Sequence, residues 1–184
     1  MIKLSAYNHS NLPGALNVSR SGDATRIFAH PPKATPCNLA IGHVYDIWND
    51  YQTEGMPKEI SNWLIKGEAK VNKACYAWFG ATFQIFDGQI YYELDEIFDG
   101  VFDFSQSGIY REDFYDGLYK VCSVKNYKPS GIWFPFSVSL KNLLDIAGWK
   151  LSRGNVNFLT LGGDILGEGK LDIEIKNLLL EDYI

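Results

Sequence analysis

Ile85-Phe86-Asp87-Gly88-Gln89-Ile90, Ile97-Phe98-Asp99-Gly100-Val101-Phe102 and Phe114-Tyr115-Asp116-Gly117-Leu118-Tyr119 each set an Asp-Gly pair between aromatic or aliphatic residues. A two-residue loop between paired strands needs positive φ at both positions, and Asp-Gly adopts it with little strain. Strand formers on both sides complete a hairpin signature. The middle of the chain therefore predicts an antiparallel β-meander. Strands are expected at Cys75–Phe86, Gln89–Phe98, Val101–Ser105, Leu118–Val124 and Ile132–Val138.

Working outward, Val156–Leu161 and Lys170–Leu180 read as two more strands. In the second, Leu171, Ile173 and Ile175 alternate with Asp172, Glu174 and Lys176, which predicts one buried and one wet face. Between these groups Ser139–Gly148 has a helical pattern. Ser139 is placed to cap it, Leu140, Leu143, Leu144 and Ala147 form its apolar face, and Gly148 ends it. Upstream, Val44, Ile47, Trp48 and Tyr51 share a helical spacing. Pro57 opens a second candidate helix that carries Ile60, Trp63 and Leu64 and closes near Gly67. Residues 1–41 hold short strand candidates punctuated by Pro13-Gly14, Pro31-Pro32 and Pro36, as in an arm with edge strands that either reaches a neighbour or folds back. The expectation is one domain, a mainly β, antiparallel β-sandwich or jelly roll with two or three short helices. It divides into an arm at 1–41, a helical segment at 42–67 and a β core at 68–184.

At 184 residues the chain can bury a full core. Aromatic residues make up 15% of it, enough for a sheet core, an interface or a sugar-stacking platform. The net charge of −5 lacks the clustered cations that a phosphate backbone needs, which excludes a nucleic-acid partner. From Asp87 to Asp116 nine acids face one base, Arg111, so this window carries −8 and the remainder +3. Such polarity suits docking to a partner or self-assembly. Three cysteines without CxxC spacing, no secretion signal in Met1–Tyr7 and no apolar run of spanning length predict a cytoplasmic protein with no membrane contact, one that an assembled virion would also accommodate.

Catalytic patterns are sparse. His9, His30 and His43 all lie in the first quarter, so a Cys-His hydrolase would have to use Cys37 with His43. No zinc spacing is present. Asp87, Asp99, Asp103 and Asp116 offer a shared acidic rim without the string of a calcium loop, and no metal or cofactor is expected. Asp95/Glu96 and Glu112/Asp113 are carboxylate pairs, yet sequence neighbours on a strand point to opposite faces.

The order Trp133-Phe134-Pro135-Phe136-Ser137-Val138, a helical turn, Val156–Leu161, a Gly-rich loop and Leu171–Leu180 resembles the closing half of galactose-binding-like jelly rolls, the fold of many carbohydrate-binding modules. The run Lys176-Asn177-Leu178 stands where their last strand has an Asp-Asn-Ile-like ending. The resemblance covers the last third and implies a β-sandwich. Taken together, the sequence reads as a non-enzymatic interaction protein docking into a larger assembly, such as a virion or tail component, through the arm and the acidic stretch that holds Asp87, Asp99 and Asp116. The first alternative is a carbohydrate-binding module with Trp78, Trp133 and Trp149 as its platform and a glycan as its partner. The second is a cysteine-dependent hydrolase.

Overall fold

The computed structural model describes residues 2–3, 16–29, 63–100, 108–151, 155–162 and 165–182. Its strands are β1 (Ile2–Lys3), β2 (Leu16–Ser21), β3 (Ala24–Ala29), β4 (Trp63–Phe86), β5 (Tyr91–Gly100), β6 (Ile109–Phe114), β7 (Tyr119–Lys125), β8 (Phe134–Ser139), β9 (Asn155–Gly162) and β10 (Ile165–Asp182). One helix, α1 (Leu140–Ala147), falls among the described residues.

Two sheets form a β-sandwich, and β4 belongs to both. Its first half pairs with β10 on one side and β8 on the other, giving sheet one the order β2-β3-β10-β4-β8, with β1 beside the end of β10. Its second half pairs with β9 and β5, giving sheet two the order β9-β4-β5-β7-β6. The apolar alternation of both halves turns inward. Ile65, Ala69 and Val71 meet Ile173, Ile175 and Phe136 in sheet one, while Phe79, Phe83 and Ile85 join Leu94 and Phe98 in sheet two. Phe98 lies 5.3–5.7 Å, centroid to centroid, from Phe79, Phe134 and Phe136. Truncating so enclosed a ring would cost about 3–5 kcal/mol.

The sequence expectation of a mainly β sandwich is borne out. The inward face of β10 falls as the alternation requires, with Ile173 and Ile175 buried, whereas on the face expected to be wet Glu174 is buried as well. Helix α1 has its expected caps: Asn142 N donates to Ser139 Oγ at 3.3 Å, and Gly148 adopts the left-handed region at φ 75. Its buried residues Leu140, Leu143 and Leu144 join the core.

The meander is corrected. β5 and β6 are not neighbours, because β7 lies between them, antiparallel to β6 and parallel to β5. Nor do the three Asp-Gly pairs behave alike. Tyr115, Asp116 and Gly117 all have positive φ in the β6–β7 turn. Asp87-Gly88 opens a four-residue connection, with Gly88 alone at positive φ, and Asp99-Gly100 lies in β5 opposite Phe79 and Trp78. The helix expected to run to Gly67 is also corrected at its end, since Trp63–Gly67 is strand. There Gly67 lets the Phe136 ring approach: a Cβ would meet Phe136 Cζ at 2.9 Å. The first expected helix, at 44–51, lies outside the described residues. The described parts of the arm fold back on the chain's own sheet as β1, β2 and β3.

Candidate functional site

The outward faces of the two sheets carry different chemistry. On sheet one, Glu174 sits at the centre of a charge-balanced network. Lys70 Nζ lies 2.5 Å from Glu174 Oε2, Asn72 Nδ2 donates to the same oxygen at 3.0 Å, and Ser21 Oγ donates to Oε1 at 2.8 Å. Lys70, Asn72 and Ser21 hold its carboxyl down at about 2, so it stays ionised in ordinary buffers. Beside it Arg26 makes a two-pronged contact with Asp172, Nε to Oδ1 at 2.9 Å and Nη2 to Oδ2 at 2.7 Å. These are acids already spoken for by cations.

On sheet two, cross-strand register lines up three rows on the face turned away from the core. The first is aromatic. Phe86 stacks on Tyr91 at 4.5 Å, Tyr91 lies 6.5 Å from Tyr119, and Phe114 meets Tyr119 edge-on at 6.2 Å. Since Phe86, Tyr91, Tyr119 and Phe114 belong to β4, β5, β7 and β6, this row runs across the strands. In the second row Gln84 pairs with Glu93. Gln84 Nε2 donates to Glu93 Oε2 at 3.0 Å and to Tyr119 Oη at 3.3 Å, and Tyr119 Oη donates to Glu93 Oε2. The third row is Thr82, Asp95 and Ser123, all buried, with Ser123 Oγ donating to Asp95 Oδ2 at 2.8 Å.

Glu93 and Asp95 therefore share one face of β5. Glu96 turns the other way: Asn126 Nδ2 donates to it at 2.8 Å, and burial pushes its carboxyl up. The separation of Asp95 from Glu96 agrees with the alternation argument from the sequence. The carboxylates that share a face are i, i+2, not i, i+1. That pattern is visible in Glu93-Leu94-Asp95, and reasoning confined to adjacent acids passed over it. Gln84, Tyr119, Ser123 and the aromatic row were missed because their juxtaposition depends on which strands become neighbours.

The residues singled out from the sequence are dispersed. Asp87 and Asp116 sit in the two turns at one end of sheet two, whereas Asp99 lies at the far end of β5 and Asp103 outside the described residues. Asp87 is a turn-former. Ile90 and Gln89 N–H groups donate to its Oδ1 at 2.7 and 2.9 Å, and Tyr92 Oη donates to Oδ2 at 3.3 Å, which together hold its carboxyl below the usual range. Among the described residues no group of three metal-ligating side chains occurs. Trp133 lies on the sheet-one face with Lys176 Nζ 4.4 Å and Lys70 Nζ 5.3 Å from its ring centre. Trp149 packs half-buried, edge-on to Tyr92 at 5.2 Å. Trp78 is on β4 opposite Gly100. Cys37 and the three histidines lie outside the described residues. Cys122 is buried and its thiol is pushed up by that burial, the reverse of an activated nucleophile. No helix among the described residues is long and apolar enough to cross a membrane.

Neither a protein-family model nor a curated protein matches the sequence. Solved structures do match the fold. The xyloglucanase domain of NopAA, a type three effector from Sinorhizobium fredii, in complex with cellobiose, has a TM-score of 0.58 at 15% identity, over 96% of this chain and 92% of its own. A structure from a comparison of family 12 glycoside hydrolases has a TM-score of 0.61 at 11% identity, over 98% and 97%. Endoglucanase 3 of Trichoderma harzianum, from family GH12, has a TM-score of 0.57 at 14% identity, over 91% and 82%. At such identities the likeness shows the fold alone, a β-sandwich jelly roll. It matches the architecture implied by the last third of the chain, although the similar structures named are a xyloglucanase domain and two family 12 enzymes and not galactose-binding-like modules. The expectations of a non-enzymatic chain and of a virion or tail component are corrected by the same finding, since the fold is shared along nearly its whole length with enzymes.

Proposed function

We propose that the outward face of sheet two is a cleft for a linear β-glucan and that the chain is a glycoside hydrolase acting there. The observation that carries this reading is Glu93 and Asp95 on one face of β5, beside an aromatic row that crosses the strands. Hydrolysis of a glycosidic bond takes two carboxyl groups, one to protonate the leaving oxygen and one to attack or to activate water. Two residues of strand rise separate the side-chain origins by about 6.6–6.8 Å, close enough for the two carboxyl groups to reach one glycosidic bond. Glu93 is the reachable member, its oxygen fixed by the Tyr119 hydroxyl and the Gln84 amide. Asp95, 3% exposed, is the inner member and suits the handling of a water molecule. Apolar faces of successive sugar rings would lie along Phe86, Tyr91, Tyr119 and Phe114. The complex with cellobiose formed by the similar NopAA xyloglucanase domain, together with the likeness to an endoglucanase of Trichoderma harzianum, supports a β-glucan over other polymers.

Burial of Asp95 also favours a second reading, binding without turnover on the same face. One experiment separates them: incubation with xyloglucan and cello-oligosaccharides, reading reducing ends and, by calorimetry, binding. Reducing ends that vanish in Glu93→Gln while binding persists are expected. Binding without release selects the second reading, and neither binding nor release rejects both.

A further inference from the structure

Trp149 follows the Gly148 cap of α1 and packs on Tyr92, which belongs to the core side of β5 and not to the face that carries Glu93. Register extends that side across the sheet: Lys120 stands opposite Tyr92, and Asp113 opposite Lys120. Here, where the core ends, the side chains leave a recess of about 370 Å³ lined by Arg111, Glu112, Asp113, Lys120, Val121 and Trp149. All six lie among the described residues. The volume falls at the lower end of the roughly 300–1,000 Å³ typical of small-ligand sites.

Arg111 is the wall of this recess. Its Nη2 donates to Ile146 O near the end of α1, and its guanidinium lies against the Cys122 thiol, so it acts as a strut between β6 and the helix. Asp113 and Lys120 differ. Their closest approach is 4.0 Å, an ion pair beyond hydrogen-bond length. The carboxylate therefore keeps acceptors, and the ammonium donors, for a third group. Both are reachable, with side chains 61% and 30% exposed.

The lining selects its ligand by elimination. Glu112 and Asp113 balance Arg111 and Lys120, so neither an anion nor a cation meets a net opposite charge. A purely apolar ligand would strip water from the charged groups without replacing its hydrogen bonds. What fits is a neutral group that donates and accepts at neighbouring atoms and has an apolar face to lie against Trp149. A pyranose with equatorial hydroxyls has both, a rim of hydroxyls between two C–H faces. We propose that this recess is a second saccharide site, which takes a neutral pyranose of a β-linked chain against Trp149, with Asp113 and Lys120 holding its hydroxyls. It lies on the opposite side of sheet two from Glu93 and does not depend on the reading of the outward face. Two hydrogen-bonding side chains and one ring make the binding weak, in the millimolar range.

The test uses the full chain carrying Glu93→Gln, so that a cleavable sugar stays intact, and follows the Trp149 indole N–H resonance, identified by its loss in Trp149→Phe. Cellotetraose is expected to shift this resonance saturably. Asp113→Ala and Lys120→Ala, both changes of exposed groups, are each expected to weaken the titration about fivefold, the effect of one lost hydrogen bond. Tyr91→Ala, on the other face, is expected to leave it unchanged. A resonance that stays still, or that titrates as tightly in Asp113→Ala and Lys120→Ala as in their parent, would overturn the site. So would a response abolished by Tyr91→Ala, since the signal would then report the outward face. A stronger response to glucuronate or to sulfate would overturn the neutral ligand class. Release of reducing ends by the wild type tests the outward face separately: its absence beside a responsive Trp149 rejects the hydrolase and leaves this site standing.

Discussion

Glu174 and Glu93 occupy corresponding places, each near the middle of an outward sheet face, and their surroundings differ in kind. Glu174 is held by an ammonium, an amide and a hydroxyl. Glu93 is held by an amide and a phenol, both neutral. A carboxylate with a cationic partner is fixed in charge and serves stability. On the proposed reading, one oriented only by neutral donors is the one left for chemistry. Acidic residues on a sheet face thus carry little information by their number. The chemical type of their hydrogen-bond donors is what distinguishes the two.

The contrast can be broken most forcefully at Glu93. Glu93→Gln is expected to lower release of reducing ends from the best β-glucan by about 10²–10⁴-fold, the usual contribution of a positioned acid or base. Glu174→Gln should leave the rate unchanged. Equal losses in both would erase the distinction. Next comes the point where β4 serves sheet two. A Cβ on Gly80 would stand 2.2 Å from Glu96 O, beside a register shift between Phe79 and Gly80. Gly80→Ala is expected to destabilise the fold by about 3 kcal/mol, as forced overpacking does, and to lower activity only through lost folded protein. Urea denaturation checks it.

Tyr119→Phe sharpens the comparison further. It removes the phenol donor to Glu93 and keeps the ring, so stability should fall by about 1 kcal/mol while turnover drops about tenfold with little change in binding. Loss of binding without loss of turnover would point to stacking as the main role of Tyr119. Glu174 offers a pH readout. Its carboxyl is depressed from 4.5 to about 2, so its stabilising contribution is complete above the unfolded value and fades as pH falls from about 5 towards 2. Melting curves should show the wild type losing about 1–2 kcal/mol more than Glu174→Gln over that interval. The smallest effect belongs to Arg26→Ala, which removes an exposed pair with Asp172 and should barely move the melting curve. It is expected to leave turnover unchanged.

Local patterns were readable where a local pattern sufficed. Alternation in Leu171–Lys176 fixed the faces of β10, and the Ser139 and Gly148 caps bracketed α1. Neighbours distant in sequence were not readable. Asp99-Gly100 permits a tight turn without requiring one, and pairing with β4 kept it extended. Trp63 and Leu64 fit a helical stripe, yet the segment is clasped between β8 and β10, where cross-strand pairing overrides weak helix propensity. The parallel contact of β5 with β7, which brings Tyr119 to Glu93 and Ser123 to Asp95, has no local signature. Half of the candidate site was therefore present as a readable i, i+2 pair, and the other half arose from topology.

The 24 residues of β4 bear on how this molecule comes apart. Because one unbroken strand supplies an inner member to each sheet, neither sheet can dissolve while the other persists intact. Thermal unfolding is therefore expected as a single cooperative transition, with far-ultraviolet circular dichroism and tryptophan fluorescence tracing one curve. Refolding should be slow for a chain of this size, since the many pairings remote in sequence must be found before either layer holds.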